Sequence, residues 1–228
     1  MPELYRGPEA ARQPADYAVP RVEAARSLLL ATDDALWSAV PCLTWGPTPY
    51  ETRFRAAWCG TGLVVRFDAD DERPWATREQ RDDRLWEEEV VEIFVDPTCA
   101  GRDYVELEIS PANVVCDLHI AALEPQRDVR LGWDFATLET RVHHADDGRR
   151  WTASAWLPFA DFASVSPEVA RRVPPRTGDV WHFNVFRIKR PHGPAQPERD
   201  AIYAAWSVPE ATTFHTPSAF RPLRFVER

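Results

Sequence analysis

The sequence predicts an all-β protein, a two-sheet antiparallel β-sandwich of the jelly-roll or immunoglobulin-like kind with little helix. About ten short segments alternate apolar with polar residues, which is the pattern of half-buried strands. Twenty-one Pro and nine Gly punctuate these segments, as a chain with many tight turns requires. A chain with this many strands and so few helical stretches buries its apolar faces by packing two sheets together.

The individual elements follow from these alternating segments in chain order. Residues 54–58 and 62–69 are separated by a Cys-Gly-Thr turn and are expected to form a hairpin. Further strands are predicted at residues 89–96, 104–110, 114–120, 137–143, 151–157, 180–189, 202–207 and 223–226. A short helix is predicted at residues 159–163, with weaker helical patterns at 22–30 and 167–171.

The alternation in three of these strands places acidic side chains on one face of a sheet. In residues 89–96 and 104–110 the Val, Ile and Leu side chains face the second sheet, and the glutamates face away from it. In residues 114–120 the apolar side chains are assigned to the same buried face. An open outer surface is therefore expected to carry Glu92, Glu106, Glu108, Asp117 and His119.

Composition and charge exclude several classes of partner. The formal net charge is -9 and the basic residues form neither a block nor a stripe, so neither nucleic acid nor an anionic membrane is expected as a partner. The apolar stretch at residues 27–31 is too short to span a bilayer, and Pro and charged residues stand where a signal peptide needs an apolar core. The sequence therefore predicts a cytoplasmic location.

The chain shows no division into several domains. No Gly- or Ser-rich linker and no internal repeat interrupts it. Residues 1–20 are rich in Pro and Ala and are predicted to be an N-terminal extension, which either lies over the surface or forms a short edge strand. Residues 21–228 are predicted to form the sandwich domain.

The four Cys residues lack the spacing of a zinc site.

The ten Trp residues are more than a core of this size needs. Aromatic rings can stack on the apolar faces of sugars and so bind an uncharged, hydrophilic molecule. Trp151, Trp156, Trp181 and Trp206 lie within predicted strands and are assigned to the core. Other Trp side chains are therefore available to face a ligand.

Residues 85–97 are the most informative segment, with the sequence Leu-Trp-Glu-Glu-Glu-Val-Val-Glu-Ile-Phe-Val-Asp-Pro. A Trp precedes an acidic turn, which opens into an alternating strand that ends in Asp-Pro. This segment resembles the corresponding strand of family 9 carbohydrate-binding modules. Similar motifs follow in the family's order at residues 104–113, 151–158, 178–184, 203–207 and 214–223, and the resemblance covers residues 20–228.

The resemblance implies non-catalytic binding of a mono- or oligosaccharide, linked to carbohydrate catabolism. In that family a sugar ring lies between two aromatic side chains, and Trp86 and Phe214 match these two positions. Glu92 matches an acidic residue that accepts hydrogen bonds from sugar hydroxyls. The predicted ligand-binding set is completed by Glu106, Glu108, Asn184 and His215.

The strand at residues 104–110 departs from the family pattern. Better-known members of the family carry Arg and Asn where this chain has Glu106 and Glu108. This difference puts a preference for the reducing end of a sugar in doubt. It also makes the predicted site more acidic, which favours neutral or amine-bearing sugars over uronic acids.

Several of these residues have a structural alternative. Trp86 could cover the edge of the sheet, and Glu92 could be a solvated surface residue. Phe214 could belong to the core, where it and Phe220 would anchor a loop. Arg187 could be a buried partner of a carboxylate instead of a ligand contact.

Two other functions compete with sugar binding. Glu92, Glu106 and Glu108 could supply the general acid and base of a glycoside-processing enzyme. An open sheet face gives carboxylates little desolvation, however, and the sequence has none of the common catalytic motifs. The same surface could instead serve as a scaffold for a protein partner.

No cofactor is expected, with a structural calcium ion as the one candidate. Members of the resembled family can bind calcium, and Asp68, Asp70 and Asp71 offer the carboxylate oxygens that calcium prefers. A solvated acidic turn is the alternative. Haem-binding relatives use a Met and a His as axial ligands, and the only Met of this chain is Met1, so haem is not expected.

Overall fold

The computed structural model describes residues 4–7, 15–23, 26, 37–195 and 197–227. Within these ranges the chain forms two sheets and very little helix. The short helices are α1 (Phe159–Phe162) and α2 (Pro167–Ala170). The strands are β1 (Tyr17–Pro20), β2 (Leu43–Trp45), β3 (Thr52–Cys59), β4 (Gly62–Asp70), β5 (Val90–Asp96), β6 (Tyr104–Ile109), β7 (Val115–Ala122), β8 (Asp128–Arg130), β9 (Glu139–His144), β10 (Arg150–Pro158), β11 (Val180–Lys189), β12 (Ile202–Ala205) and β13 (Arg221–Val226).

The two sheets pack face to face, which confirms the predicted all-β sandwich. The larger sheet has the strand order β1-β13-β11-β5-β6-β7-β8, and β12 pairs with β11 beside this path. The smaller sheet has the order β2-β3-β4-β10-β9. The predicted hairpin is formed by β3 and β4, which pair antiparallel from Thr52–Ala69 to Cys59–Gly62. The strands pair antiparallel except for β1 and β13, which are parallel.

The main hydrophobic core lies between the two sheets. As the sequence predicts, it contains the alternate apolar residues of two neighbouring strands. These are Val91, Ile93 and Val95 of β5 and Val105, Leu107 and Ile109 of β6. Aromatic rings fill the remaining space, as in the contact between Phe183 and Trp206 at a centroid distance of 5.0 Å. Of the Trp residues assigned to the core, Trp151, Trp181 and Trp206 lie here, and Trp156 is buried in a smaller cluster with Trp37.

The outer face of the larger sheet is also covered, so it is not the open surface that the sequence predicts. A second cluster packs on this face and includes Phe94, Tyr104, Phe186, Phe214 and Phe220. The cover comes from the turn before β5, from the segment between β12 and β13, and from Leu4, which forms an isolated parallel bridge with Tyr203. Because the larger sheet is buried on both faces, its strands have apolar side chains on both sides.

The side chains of β7 therefore point to the opposite faces of the sheet from those predicted. Cys116 pairs with Glu108, and Leu118 pairs with Glu106, and residues paired across strands project to the same face. Asp117 and His119 consequently point toward the smaller sheet. Alternation alone could not distinguish the two faces, because the face that carries the glutamates also buries apolar side chains.

Both polar residues of β7 find partners on that side. Asp117 accepts a hydrogen bond from the Phe135 backbone N–H at 2.6 Å and forms an ion pair with Arg81. His119 Nε2 lies 3.0 Å from Asp103 Oδ1. These two residues stabilise the sandwich and do not belong to the face that carries Glu92.

The N-terminal segment contributes to the sandwich from residue 17 onward. Strand β1 is the edge strand of the larger sheet, and Tyr17 and Val19 are part of the main core. The Tyr17 hydroxyl donates to the Pro41 carbonyl at 2.6 Å and accepts from the Ala56 N–H at 2.8 Å. Of the two possibilities for this segment, the edge strand is the one formed at Tyr17–Pro20.

Helices α1 and α2 match the predicted short helices at 159–163 and 167–171. Helix α2 begins after Ser166, whose hydroxyl accepts a hydrogen bond from the Val169 N–H at 3.3 Å and caps the helix. The weaker pattern at residues 22–30 lies mostly outside the described residues. In the part of the chain that the structure describes, no helix is long and apolar enough to cross a membrane.

Candidate functional site

A pocket of about 610 Å³ opens on the outer face of the larger sheet. Strands β5, β6 and β7 form its floor, the turn before β5 forms one wall, and the segment between β12 and β13 forms another. Its lining residues include six of the seven residues that the sequence assigns to ligand binding, namely Trp86, Glu92, Glu106, Glu108, Phe214 and His215. The remaining one, Asn184, does not line it.

Trp86 stands at the edge of this pocket on a single turn of 3-10 helix, Leu85–Glu87. Leu85 is fully buried and anchors the turn, while Trp86 remains half-buried against the second cluster. Glu88 directly follows the turn and connects it to the preceding loop, because its carboxylate accepts a hydrogen bond from the Thr77 N–H at 2.7 Å. The turn thus holds an indole over the pocket without burying it.

Phe214 lies in the segment between β12 and β13 and is only 6% exposed. Its ring stacks on Phe186 at a centroid distance of 4.3 Å and an interplanar angle of 23°, and it contacts Tyr203 at 5.9 Å. Phe214 therefore both lines the pocket and belongs to the second hydrophobic cluster. The sequence offered ligand contact and core packing as alternatives for Phe214, and its position in the structure allows both.

Three glutamates form the acidic floor of the pocket. Glu92 of β5 is paired in register with Glu108 of β6, and Glu106 lies two residues earlier on the same face of β6. One carboxylate oxygen from each lies within 4.8 Å of the others. The three residues are 2%, 5% and 1% exposed for Glu92, Glu106 and Glu108.

Burial governs the ionisation of this acidic floor. Desolvation raises the pKa of Glu106 to about 7, and it raises the pKa of Glu92 and of Glu108 well above the usual value, with the neighbouring glutamates adding to the effect. The Trp86 backbone N–H acts in the opposite direction on the pKa of Glu108. The expectation of little desolvation on this face is wrong, because the second cluster and the loops enclose the strands.

His215 borders the acidic floor as a neutral side chain. Its Nδ1 lies 2.9 Å from the Tyr104 hydroxyl, and its ring stacks on Phe94 at 5.2 Å. Burial, together with the positive charge of Arg127, lowers the pKa of His215 to about 4. We assign the hydroxyl as donor to Nδ1, which leaves the proton on Nε2, at 3.8 Å from Glu106 Oε2.

Four residues of the pocket mouth were not predicted from the sequence. Arg127 and Leu131 come from the loops on either side of β8, and Glu198 and Tyr203 come from the region around β12. Among the described residues, Leu131 is the exposed large apolar side chain, with 53% of its surface accessible. Tyr203 lies within one of the motifs that resemble the carbohydrate-binding family, which was the one available signal; the loop residues carry no local pattern.

Asn184 lies on β11 outside the pocket, with its amide engaged by the backbone. Its Nδ2 donates to the Ser207 carbonyl at 2.7 Å, and its Oδ1 accepts from the N–H groups of Ser207 at 3.1 Å and Val185 at 2.9 Å. The side chain is fully buried. Asn184 thus holds the end of β12 against β11, and the structure does not bring it together with the other candidate residues.

The calcium candidates do not fit a calcium ion. Asp71 is buried between two cations, with Arg187 Nη2 and Lys189 Nζ each 2.6 Å from its carboxylate. Asp68 pairs with Arg66 at 2.7 Å and with Arg55 at 3.0 Å, and Asp70 pairs with Arg53 at 2.9 Å and with Arg150 at 2.8 Å. Because each carboxylate is already neutralised by Arg or Lys, this run is a set of structural ion pairs.

Arg187 has the structural role that the sequence left as its alternative. Beside its ion pair with Asp71, Arg187 donates to the carbonyl oxygens of Tyr50 and Asp70 at 3.1 and 2.7 Å. Lys189 reaches Glu89 at 2.5 Å on the other side of Asp71. The result is a buried ion-pair cluster that connects β11 to the end of β4.

Comparison with known proteins points to one family. The model of carbohydrate-binding family 9 matches residues 24–159, which is more than half of the chain. A curated relative, described as an extracellular protein of Arthroderma benhamiae, is 26% identical over 187 residues, which cover 77% of this chain and 79% of that protein.

Solved structures share the fold at low sequence identity. A protein from Bacteroides uniformis ATCC 8492, described as a candidate carbohydrate-binding protein, aligns with a TM-score of 0.69 at 20% identity, covering 92% of this chain and 98% of that one. A family 9 carbohydrate-binding module from Caldicellulosiruptor kristjanssonii in complex with cellotriose aligns with a TM-score of 0.62 at 14% identity, covering 94% and 93%. The same module in complex with glucose gives a TM-score of 0.62, covering 94% and 95%.

Proposed function

Because the chain belongs to carbohydrate-binding family 9, we propose that its pocket binds a mono- or oligosaccharide and leaves it chemically unchanged. Trp86 and Phe214 contact the apolar faces of a sugar ring, and Glu92 accepts hydrogen bonds from its hydroxyls. The observation that carries the proposal is that these three residues, far apart in the sequence, line the same pocket. The binding of saccharides by such a module serves carbohydrate catabolism.

The dimensions and lining of the pocket support this proposal. A volume of about 610 Å³ falls in the range of small-molecule sites, roughly 300–1,000 Å³. Aromatic and aliphatic side chains form the walls, and a few polar groups converge at the floor, which is the usual composition of such sites. The solved structure of a related module with glucose makes a glucose-configured ring the first ligand to test.

A glycoside-processing enzyme is the second candidate, because the buried glutamates now have the desolvation that an open surface would lack. Catalysis by a carboxyl pair requires environments that move the two pKa values apart, so that one group is protonated while the other is ionised. Here burial moves the pKa values of all three glutamates in the same direction. The chain also belongs to a family of carbohydrate-binding modules, so binding is the better-supported function.

Calorimetric titration of the full chain with glucose, cellobiose and cellotriose tests the proposal. We expect saturable binding, and Trp86→Ala should weaken it by about 30-fold or more, since truncating an important aromatic contact costs about 2–4 kcal/mol and each 1.4 kcal/mol is tenfold. Trp133→Ala is the matched control, because Trp133 is also only partly buried and does not line the pocket.

Two outcomes contradict the proposal. If a broad glycan panel gives no binding while a protein partner binds saturably, the pocket face is a scaffold. If the wild-type chain releases reducing sugar from a saccharide and Glu106→Gln abolishes the release, the protein is an enzyme.

A further inference from the structure

The acidic floor of the pocket brings three buried carboxyl groups together at one point. We propose that Glu92, Glu106 and Glu108 bind a protonated amine, so that the preferred ligand is an amino sugar with a free ammonium group. This inference rests on the proposed function, sugar binding in the same pocket, and specifies the class of sugar.

The spacing of the three carboxylates matches the geometry of an ammonium group. Their nearest oxygens lie within 4.8 Å of one another. One point can therefore lie within about 2.8 Å of all three oxygens, and this is the usual length of a charge-assisted N–H···O hydrogen bond. An ammonium group has three N–H donors and no acceptor, so one nitrogen can donate to all three glutamates.

Two oxygens of this floor have no hydrogen-bond donor among the described residues. They are Oε2 of Glu106 and Oε2 of Glu108, on side chains that are more than nine-tenths buried and line the pocket. A buried acceptor without a donor is costly, and more so when it is charged. A donor supplied by the ligand removes this cost, which is why these two atoms indicate a binding site.

The charged groups around the acidic floor favour the binding of a cation. The titratable or charged groups that face it from the neighbouring elements are the side chains of Tyr104, Cys116, Arg127, Glu198, Tyr203 and His215. Of these, Arg127 is the cation, and His215 is neutral near pH 7 because its pKa is about 4. Three glutamates and Glu198 thus face one arginine.

Ligand binding should be linked to proton release. In the free protein the raised pKa values keep part of the acidic floor protonated near neutral pH. An ammonium group favours the ionised carboxylates and lowers those pKa values. Binding therefore releases protons, and affinity for the amine should increase as the pH rises from 5 toward 7.

The walls favour an organic cation over a metal ion. Calcium takes about six to eight oxygen ligands. The space above the three carboxylates is bounded instead by apolar and aromatic side chains, which include Trp86, Phe94, Leu118 and Phe214. Such walls suit the carbon framework of a sugar that carries the positive charge.

Three β-1,4-linked disaccharides that differ only in the group at C2 provide the test. Cellobiose carries a hydroxyl, the glucosamine dimer an ammonium, and the N-acetylglucosamine dimer a neutral amide. In calorimetric titrations of the full chain at pH 6.5, we expect the glucosamine dimer to bind about tenfold or more tightly than either of the others. Titration in two buffers of different ionisation enthalpy should detect the released protons.

Variants test whether the glutamates of the acidic floor cause the preference for the amine. Glu108→Gln should lower the affinity for the glucosamine dimer more than the affinity for cellobiose, so the ratio of the two affinities should fall toward one. Glu92→Gln, measured by the same ratio, serves as a second variant if the first does not fold. Glu168→Gln is the control, because Glu168 is an exposed partner of Arg171 outside the pocket. Its affinity for each disaccharide should equal that of the wild type.

The outcomes separate this inference from the proposed function. If cellobiose binds as tightly as the glucosamine dimer, the amine preference is wrong and sugar binding stands. If no saccharide of any kind binds, the proposed function is wrong and the inference fails with it. Saturable calcium binding that Glu108→Gln abolishes, with no preference among the disaccharides, would assign the floor to a metal ion and overturn the inference.

Discussion

Phe214 stacks on Phe186 at a centroid distance of 4.3 Å, so the ring expected to contact a sugar also packs against the strand beneath the pocket. Phe186 belongs to β11, and Phe214 belongs to the segment that returns over the outer face of the larger sheet. The contact therefore couples the shape of the binding site to the stability of the fold. Trp86 also packs against the second cluster but is only half-buried, so it contributes less to the stability of the fold.

This contact predicts that two substitutions of Phe214 will behave differently. Phe214→Ala should lower the free energy of unfolding by about 3–5 kcal/mol, the usual cost of removing a buried phenyl ring, and should also weaken sugar binding. Phe214→Leu keeps much of the buried volume, so it should cost less stability while still losing the stacked ring. Chemical denaturation and calorimetry measure the two quantities separately.

Trp86→Ala is the comparison for this pair, because it should weaken binding with a smaller loss of stability. Suppose instead that Phe214→Ala unfolds at the same denaturant concentration as the wild type. The ring would then make no important contact with Phe186, and the packing described here would be incorrect.

Asn184 should be required for stability and not for binding. Its amide satisfies the N–H and the carbonyl of Ser207, and Asn184→Ala would leave these buried groups without partners. We expect the free energy of unfolding to fall by about 1–3 kcal/mol, with unchanged affinity of the folded protein for saccharides. A loss of affinity without a loss of stability would return Asn184 to the binding site.

Asp71 should be among the most sensitive charged positions of the chain. It is buried between Arg187 and Lys189, and Asp71→Asn would leave two buried cations with one remaining partner, Glu89. Removing one member of a buried ion pair costs about 3–5 kcal/mol. For a domain of this size each 1 kcal/mol lowers the melting temperature by about 2–4 °C, which calorimetric melting can measure.

Asp70→Asn is the matched control for this substitution. Asp70 adjoins Asp71 but is partly exposed, and pairs of this kind contribute about 1 kcal/mol or less. Equal losses for the two variants would contradict the assignment of Asp71 to a buried cluster.

The pH dependence of stability should reveal the buried glutamates. The pKa of Glu106 is raised from 4.5 to about 7, so the folded state keeps a proton that the unfolded state loses at lower pH. Unfolding therefore releases this proton, and the free energy of unfolding falls as the pH rises from about 4.5 to 7 and remains lower above that. Glu106→Gln removes this contribution and also the charge that raises the pKa values of Glu92 and Glu108, so the variant should lose less stability as the pH rises.

Denaturation of the wild type and of Glu106→Gln at several pH values measures the difference. The variant should gain stability relative to the wild type between pH 5 and pH 7.5, and Glu168→Gln should follow the wild type throughout. His215 has a lowered pKa, which gives a slope of the opposite sign at acid pH, but this slope is present in both proteins. A constant difference across the pH range would mean that Glu106 ionises normally.

The two-residue alternation of β5 and β6 predicted the facing of those strands correctly. Val91, Ile93 and Val95 lie in the main core, and Glu92 lies on the opposite face. The same reasoning was wrong for β7, where the apolar residues face the pocket side. The difference arises because alternation identifies two faces, and only the pairing with β6 decides which face is which.

The sequence by itself determined the sandwich, the acidic face of β5 and β6, and the candidate residues at Trp86 and Phe214, because these depend on local alternation and on a family pattern. Only the tertiary structure decided that the face is enclosed, that Asn184 is used by the backbone, and that Arg127 and Glu198 border the pocket. These features depend on loops that fold back over the sheet from distant parts of the chain. Local sequence patterns carry no information about such contacts, and the same contacts remove the glutamates from water and so set their pKa values.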